Sequence, residues 1–257
     1  MPIRTDPWPA GTPCWVDLAV PDVAAATQFY AAVLGWTYSD TGEEYGHYQM
    51  CQRDGRSAAG IGPSQQEGQP PVWTTYLASD AVDTTAKQIT ENGGTLLVEP
   101  FDIPKSGRLC VALDPQGAAF GVWQAGEHIG AEIYNEPGSL VWNEAAVPDP
   151  DAARQFYSAV FGYSYQPVDG AGSGYTTFHR EGDPLGGMGG LENAPAGAPP
   201  HWMAYFVVDD ADVAVAAATE RGATVLSGPF DTPYGRMVMI TDPQGATFAI
   251  MGVMPAG

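Results

Sequence analysis

Basic residues are scarce in this chain: Lys and Arg number 10 against 30 Asp and Glu, leaving a formal net charge of −20 at pH 7. Such a surface repels phosphate backbones and anionic headgroups, so neither nucleic acid nor a membrane is an expected partner. The acidity could favour a cationic ligand, although a negative balance is also ordinary for soluble proteins. Cysteine is nearly absent too, at Cys14, Cys51 and Cys110 only, with no CxxC spacing. That excludes a disulfide framework or a cysteine zinc site and points to a reducing compartment. No apolar run reaches the roughly 18 residues of a membrane span, and the opening MPIRTDPWPAGTP lacks the apolar core of a secretory signal, so a cytoplasmic location is expected. The chemistry-bearing motifs of several enzyme classes are missing as well. There is no GxSxG, and neither a Gly-Lys-Ser/Thr nor a strand-to-helix GxGxxG accompanies the glycines at Gly186-Gly187-Met188-Gly189-Gly190. Those glycines are expected to permit close sheet packing or a bulge.

What is present is a repeat. Pro21-Asp22 recurs at Pro148-Asp149 and Gln28-Phe29-Tyr30 at Gln155-Phe156-Tyr157, each displaced by 127 residues. Trp73 matches Trp202, Phe101-Asp102 matches Phe230-Asp231, and Asp114-Pro115-Gln116-Gly117 matches Asp242-Pro243-Gln244-Gly245, displaced by 128 or 129. Copies of this length are whole domains. They are placed at 9–126 and 137–254, joined by a linker at 127–136.

Each copy contains a shorter pattern twice: a strand, an acidic helix start, a helix and several short strands. Cys14 to Val20 alternates as a strand, Asp22 can cap a helix whose apolar face is Phe29, Tyr30, Val33 and Leu34, and Gly35 can close it. In the second copy Asp149 caps, Pro150 takes the first helical position and Gly162 closes. The later units run from Trp73 with a helix beginning near Asp80, and from Trp202 with a helix from about Asp210 to Arg221, stopped at Gly222. The two DPQG segments read as hairpin turns. The expected fold is α+β, with four βαβββ units forming two tandem cupped mixed sheets and helices outside.

This order, with VDLAVPDVAAATQFYAAVLGW and WNEAAVPDPDAARQFYSAVFGY early and LDPQGAAFGVW and TDPQGATFAIM late, resembles the vicinal oxygen chelate superfamily of glyoxalases, bleomycin-binding proteins and extradiol dioxygenases. The resemblance implies a cavity inside each cupped sheet and a divalent metal held there by His and Glu. It places the first histidine at Trp15 and Trp142, the second at Thr74 and Met203, and the last glutamate at Gly121 and Ala249. The remaining acidic position falls within Ser57–Gly62 and Gly186–Gly190, which contain no carboxylate. A metal of this class needs about three strong ligands converging on one point. Both copies lack them, so no metal and no other cofactor is expected. The four histidines, His47, His128, His179 and His201, share no ligand spacing.

Strand alternation indicates what faces the cavities instead. With Val16, Leu18 and Val20 under the helix, the inward set is Trp15, Asp17, Thr74, Tyr76 and Trp123 in the first copy, and Trp142, Glu144, Met203, Tyr205 and Met251 in the second. Tyr48 and Tyr175 match each other in the strands after the first helix of each copy and join the ligand-binding candidates. Asp17 and Glu144 could anchor a cationic or hydroxylated guest, or act as a general base beside Tyr76 or Tyr205; equally, each could be a carboxylate bonded to a neighbouring tyrosine that holds the sheet together. Arg108 and Arg236 match as solvated hairpin residues, and Cys110 as a packing residue.

Two functions fit this inventory. The first is a metal-independent protein that sequesters an aromatic or cationic small molecule. The second is a metal-independent enzyme of secondary metabolism, an isomerase, cyclase, hydroxylase or lyase with Asp17 or Glu144 as base. An ordinary metal-dependent glyoxalase or dioxygenase would need rearranged sites using His47, His179 or His201. The expected assembly is a monomer with an internal pseudo-twofold, a dimer being the alternative.

Overall fold

The computed structural model describes residues 3–66, 68–172, 174–194 and 197–253. The first half runs β1 (Pro13–Val20), α1 (Val23–Leu34), β2 (Thr37–Asp40), β3 (Gln49–Arg53), β4 (Arg56–Pro63), β5 (Val72–Ala78), α2 (Val82–Glu91), β6 (Thr95–Ile103), β7 (Gly107–Leu113) and β8 (Ala119–Ala125). The second repeats it as β9 (Leu140–Val147), α3 (Pro150–Phe161), β10 (Ser164–Pro167), β11 (Thr176–His179), β12 (Gly186–Gly190), β13 (His201–Val208), α4 (Ala211–Thr219), β14 (Thr224–Thr232), β15 (Gly235–Thr241) and β16 (Thr247–Gly252). Each half is one eight-stranded mixed sheet, ordered β2-β3-β4-β1-β5-β8-β7-β6 and β10-β11-β12-β9-β13-β16-β15-β14. The two units of a half therefore meet where β1 pairs antiparallel with β5, and β9 with β13. No helix among the described residues is long and apolar enough to cross a membrane.

Local chemistry sets the helix ends. Asp22 accepts from the Ala25 N–H at 2.9 Å and Gly35 closes α1 at φ 70°, in the left-handed region where glycine carries no Cβ penalty. Asp149, Pro150 and Gly162 do the same for α3. The second-unit helices are shorter than the sequence suggests. Ser79 accepts from the Ala81 N–H at 3.0 Å, and this local turn delays α2 until Val82. α4 ends at Thr219, because residues 219–222 close as a turn, with the Gly222 N–H on the Thr219 carbonyl at 3.0 Å.

The helix-covered backs of the sheets are buried against the opposite half. Val16, Leu18 and Val20 lie under Phe29, Tyr30, Val33 and Leu34 of α1, and the same core continues into Phe206, Val208, Phe248 and Ile250 of the second half. Reciprocally, α3 and Trp202 share a core with Leu77, Val82, Phe120 and Val122 of the first. Polar groups fix the register of this exchange. The Tyr30 hydroxyl donates to Asp242 at 2.9 Å and accepts from the Trp73 indole at 3.1 Å. Tyr157 donates to Asp114 at 3.1 Å and accepts from Trp202 at 2.9 Å. Gln244 brackets the Asp22 backbone, and Gln116 accepts from the Asp149 N–H. The DPQG segments are thus hairpin turns and also docking points for the other half. With the backs buried in this way, the concave faces are left for chemistry.

Candidate functional site

In the first cup the register puts Trp15 opposite Tyr76, Asp17 opposite Thr74 and Gly60, and Tyr76 opposite Gly121. Tyr76 of β5 and Tyr48, just ahead of β3, therefore converge on Asp17 of β1. Its Oδ2 accepts from the Tyr76 hydroxyl at 3.1 Å and from that of Tyr48 at 3.4 Å, and Tyr48 in turn accepts from the Trp15 indole at 3.0 Å. Burial pushes the Asp17 carboxyl up to about 7, and the two phenols oppose that shift only in part. The same burial, with the negative charge of Asp17 beside them, raises both phenols well above their ordinary value, so they stay protonated donors.

The second cup repeats the arrangement with a longer acid. Glu144 lies opposite Met203 and Gly187, Trp142 opposite Tyr205, and Tyr205 opposite Ala249. The Tyr175 hydroxyl donates to Glu144 at 2.8 Å and accepts from the Trp142 indole at 3.3 Å. Desolvation raises the Glu144 carboxyl, against hydrogen bonds from Tyr175 and Tyr205. Met203, Met237, Met239 and Met251 complete the wall with Tyr205, Ala249 and Trp142.

Glycines make room for these phenols. Tyr48 and Tyr175 sit one residue before β3 and β11, and each ring lies flat on the neighbouring strand. A Cβ at Gly60 would run into the Tyr48 hydroxyl, one at Gly187 into that of Tyr175, and one at Gly121 into the Tyr76 ring. At Gly62 and Gly189 a Cβ would come within 2.9 Å of the same two rings. The expected role of the glycine-rich strand as a close-packing surface holds, with a tyrosine ring as the packed group.

All the candidate ligand and catalytic residues line the two concave faces. Trp15, Asp17, Tyr48, Thr74, Tyr76 and Trp123 belong to the first cup, and Trp142, Glu144, Tyr175, Met203, Tyr205 and Met251 to the second. The other candidates are placed elsewhere. Arg108 pairs with Asp83 and Asp102, and Arg236 with Asp212 and Asp231, tying each hairpin to its helix. Cys110 packs in the core behind the first sheet, its thiol pushed up to about 12 by burial.

Sequence reasoning missed the lid of the first cup. His128, on the segment read as a linker, sits with its ring centroid 4.5 Å from Trp15 and 5.4 Å from Trp123, and Trp8 packs beside them. Burial lowers the His128 imidazole to about 4. Met237 and Met239 were also missed, although the alternation of the strand before the DPQG turn aims both inward with Met251.

The donor set does not fit a divalent metal. Each cup offers one carboxyl and neutral phenols, joined in the first by the His128 imidazole, and among the described residues no three His, Cys, Asp or Glu side chains gather as a metal site would require. His47 pairs with Asp40, His179 bonds Thr177 and the Gly182 carbonyl, and His201 bonds the Pro199 carbonyl.

Comparison with known proteins agrees with this architecture. The family model described as "Glyoxalase/Bleomycin resistance protein/Dioxygenase superfamily" matches residues 14–122 and again 139–250. The Mycobacterium tuberculosis protein named "Putative glyoxylase CFP32" is 40% identical over 262 residues, 99% of either chain. The Streptomyces peucetius "Anthracycline biosynthesis protein DnrV" is 37% identical over 260 residues, 94% of this chain and 93% of that one. Among solved structures, the Mn(II)-bound glyoxalase from Novosphingobium aromaticivorans superposes with a TM-score of 0.65 at 16% identity, covering 95% of this chain and 82% of its own. The 2,2',3-trihydroxybiphenyl 1,2-dioxygenase of Sphingomonas wittichii RW1 gives 0.64 at 12%, covering 96% and 92%. At such identities these two structures speak for the fold alone.

Proposed function

We propose that this chain, which belongs to the Glyoxalase/Bleomycin resistance protein/Dioxygenase superfamily, is a metal-independent protein that binds and sequesters a flat, largely apolar aromatic molecule, acting as a monomer. The observation that carries this reading is the desolvated carboxyl gripped by a phenol in each cup, where the fold family would place a metal. Burial shifts both carboxyls toward the protonated form; a carboxyl accepts hydrogen bonds in either state and, when protonated, also donates one. That pattern suits a phenol or quinone oxygen on the edge of a ring system. In the second cup Trp142 and Tyr205 supply flat apolar faces, and the four methionines supply thioether surface that adapts to an irregular outline. The relative named for anthracycline biosynthesis supports a polycyclic aromatic compound as the class of guest.

The test is elemental analysis and native mass spectrometry of protein purified without chelator or affinity metal, followed by calorimetric titration with daunorubicin as an anthracycline probe. No stoichiometric metal and a saturable complex are expected. Loss of one buried hydrogen-bonding group costs about 1–3 kcal/mol, so Glu144→Gln should weaken binding by about 5- to 150-fold. Stoichiometric manganese, iron, zinc or nickel would overturn the reading.

One observation favours the enzyme alternative: Asp17, raised to about 7, has the poise of a general base at neutral pH, and the protonated Tyr76 phenol beside it could return the proton. On that reading Asp17→Asn abolishes turnover of a candidate substrate without abolishing its binding.

A further inference from the structure

The two cups are built alike but not left alike. At three matched positions the first is sealed and the second is not. Trp15, Trp123 and Leu109 are 4%, 5% and 9% exposed, whereas their counterparts Trp142, Met251 and Met237 are each only half-buried. What seals the first cup is residues 127–131, between β8 and β9.

This segment is stapled down along its length. The Glu127 N–H donates to the Lys105 carbonyl at 2.8 Å, the His128 N–H to Ser106 at 3.1 Å and the Ala131 N–H to Cys14 at 2.8 Å. The Trp123 indole donates to the His128 carbonyl at 2.9 Å, and the Trp8 indole to that of Ala131 at 3.0 Å. At Gly130, with φ 96°, a Cβ would strike the Cys14 carbonyl, so only glycine lets the backbone come this close. Held in this way, the His128 ring stands edge-on to Trp15 at 84°, while its buried Nε2 has no hydrogen-bond partner among the described residues. A planar heterocycle lodged among tryptophans, with an unused polar edge, is what a bound aromatic guest would look like.

We infer that the chain fills its first cup with its own linker, His128 standing in for a ligand, so that the protein takes one guest, in the second cup against Trp142 and Glu144. A tethered segment needs only a modest intrinsic affinity to exclude a free competitor, because its effective concentration is on the order of millimolar or higher. The nature of the guest rests on the function proposed above; the occupation of the first cup does not.

Two experiments test the two ideas apart. Native mass spectrometry and calorimetry of the full chain with daunorubicin should give one equivalent, and quenching of tryptophan emission by the bound probe should be largely lost in Trp142→Phe. Two equivalents, or quenching that survives in Trp142→Phe, would overturn the inference and leave the binding function standing. Absence of any complex would count against that function alone. The plug is then judged on ligand-free protein by acrylamide quenching. His128→Ala should make Trp15 and Trp123 accessible, raising the quenching constant about twofold or more, and should admit a second equivalent of any probe that binds. His128→Asn, a smaller change should the alanine variant not fold, should shift it in the same direction. Unchanged quenching in a folded variant would overturn the inference.

Discussion

Replacing Asp17 by Asn should make the protein's stability less sensitive to pH, and the sign follows from the direction of the Asp17 shift. Its carboxyl moves from 3.8 to about 7 on folding, chiefly because burial disfavours the charge. A group with a raised folded-state value binds its proton more tightly in the folded chain. Its ionisation costs nothing below pH 3.8 and the full penalty above pH 7, so stability falls as pH rises through that window. At about 1.4 kcal/mol per unit the full penalty is roughly 4 kcal/mol. At pH 5 the folded carboxyl is protonated while the unfolded one is ionised, which relieves roughly 3 kcal/mol of it. Asn carries no charge to penalise. Going from pH 5 to pH 8.5, the stability of Asp17→Asn relative to the native chain should therefore improve by roughly 3 kcal/mol, whatever the variant's offset at either pH. His128 acts in the opposite sense. Its value falls from 6.5 to about 4 on folding, so it destabilises the protein as pH drops through that range. That contribution is common to both chains and cancels in the difference. Urea unfolding of the two proteins at pH 5, 6, 7 and 8.5, read by far-ultraviolet circular dichroism, measures the effect. A difference that is flat within about 0.5 kcal/mol, or that favours Asn at the acid end, would refute the account of a desolvated carboxyl.

Three further substitutions test the frame around the cups. Tyr30→Phe removes the donor to buried Asp242 and the acceptor for Trp73, so equilibrium unfolding should show a loss of about 2–4 kcal/mol; Tyr157→Phe should lose a similar amount, and a markedly smaller loss in one would break the pseudo-twofold argument. Gly187→Ala should cost about 1–3 kcal/mol by overpacking and lower daunorubicin affinity, because the new methyl drives the Tyr175 hydroxyl away from Glu144; thermal unfolding and calorimetry read the two effects.

The parts of this molecule that were legible in its sequence are those encoded within one segment. Alternation along Val16, Leu18 and Val20 determined which side of β1 lies under its helix, and hence that Asp17 faces inward; the same reasoning held for Glu144. Capping by Asp22 and Asp149 and closure by Gly35 and Gly162 are equally local. What was not legible depends on pairs distant in the chain. Tyr30 reads as one more apolar position on α1, and Asp242 as the first residue of a turn, yet they bond across the two halves. A signal was available: a hydroxyl on an otherwise apolar helix face and an acid at a turn both recur in the second copy. The tyrosine–glycine pairing could have been found in the same way, since Tyr48 with Gly60 and Gly62 is displaced by 127 residues onto Tyr175 with Gly187 and Gly189.

The lid over the first cup had no such signal, and the reason lies in the duplication itself. A repeat reveals what both copies need and is silent about whatever occurs once. The connection between β8 and β9 exists once, so selection on it is free to differ from anything done twice. The sequence carried hints of employment there: an aromatic-sized heterocycle at His128 and a glycine at Gly130 two residues on. Neither could be placed without knowing that the segment lies across Trp15 and Trp123. Two cups that retain the same carboxyl and phenols therefore need not retain the same use. If the linker takes the place of a guest in the first, Asp17 and its tyrosines hold that half together, and Glu144 with its tyrosines remains available to a ligand.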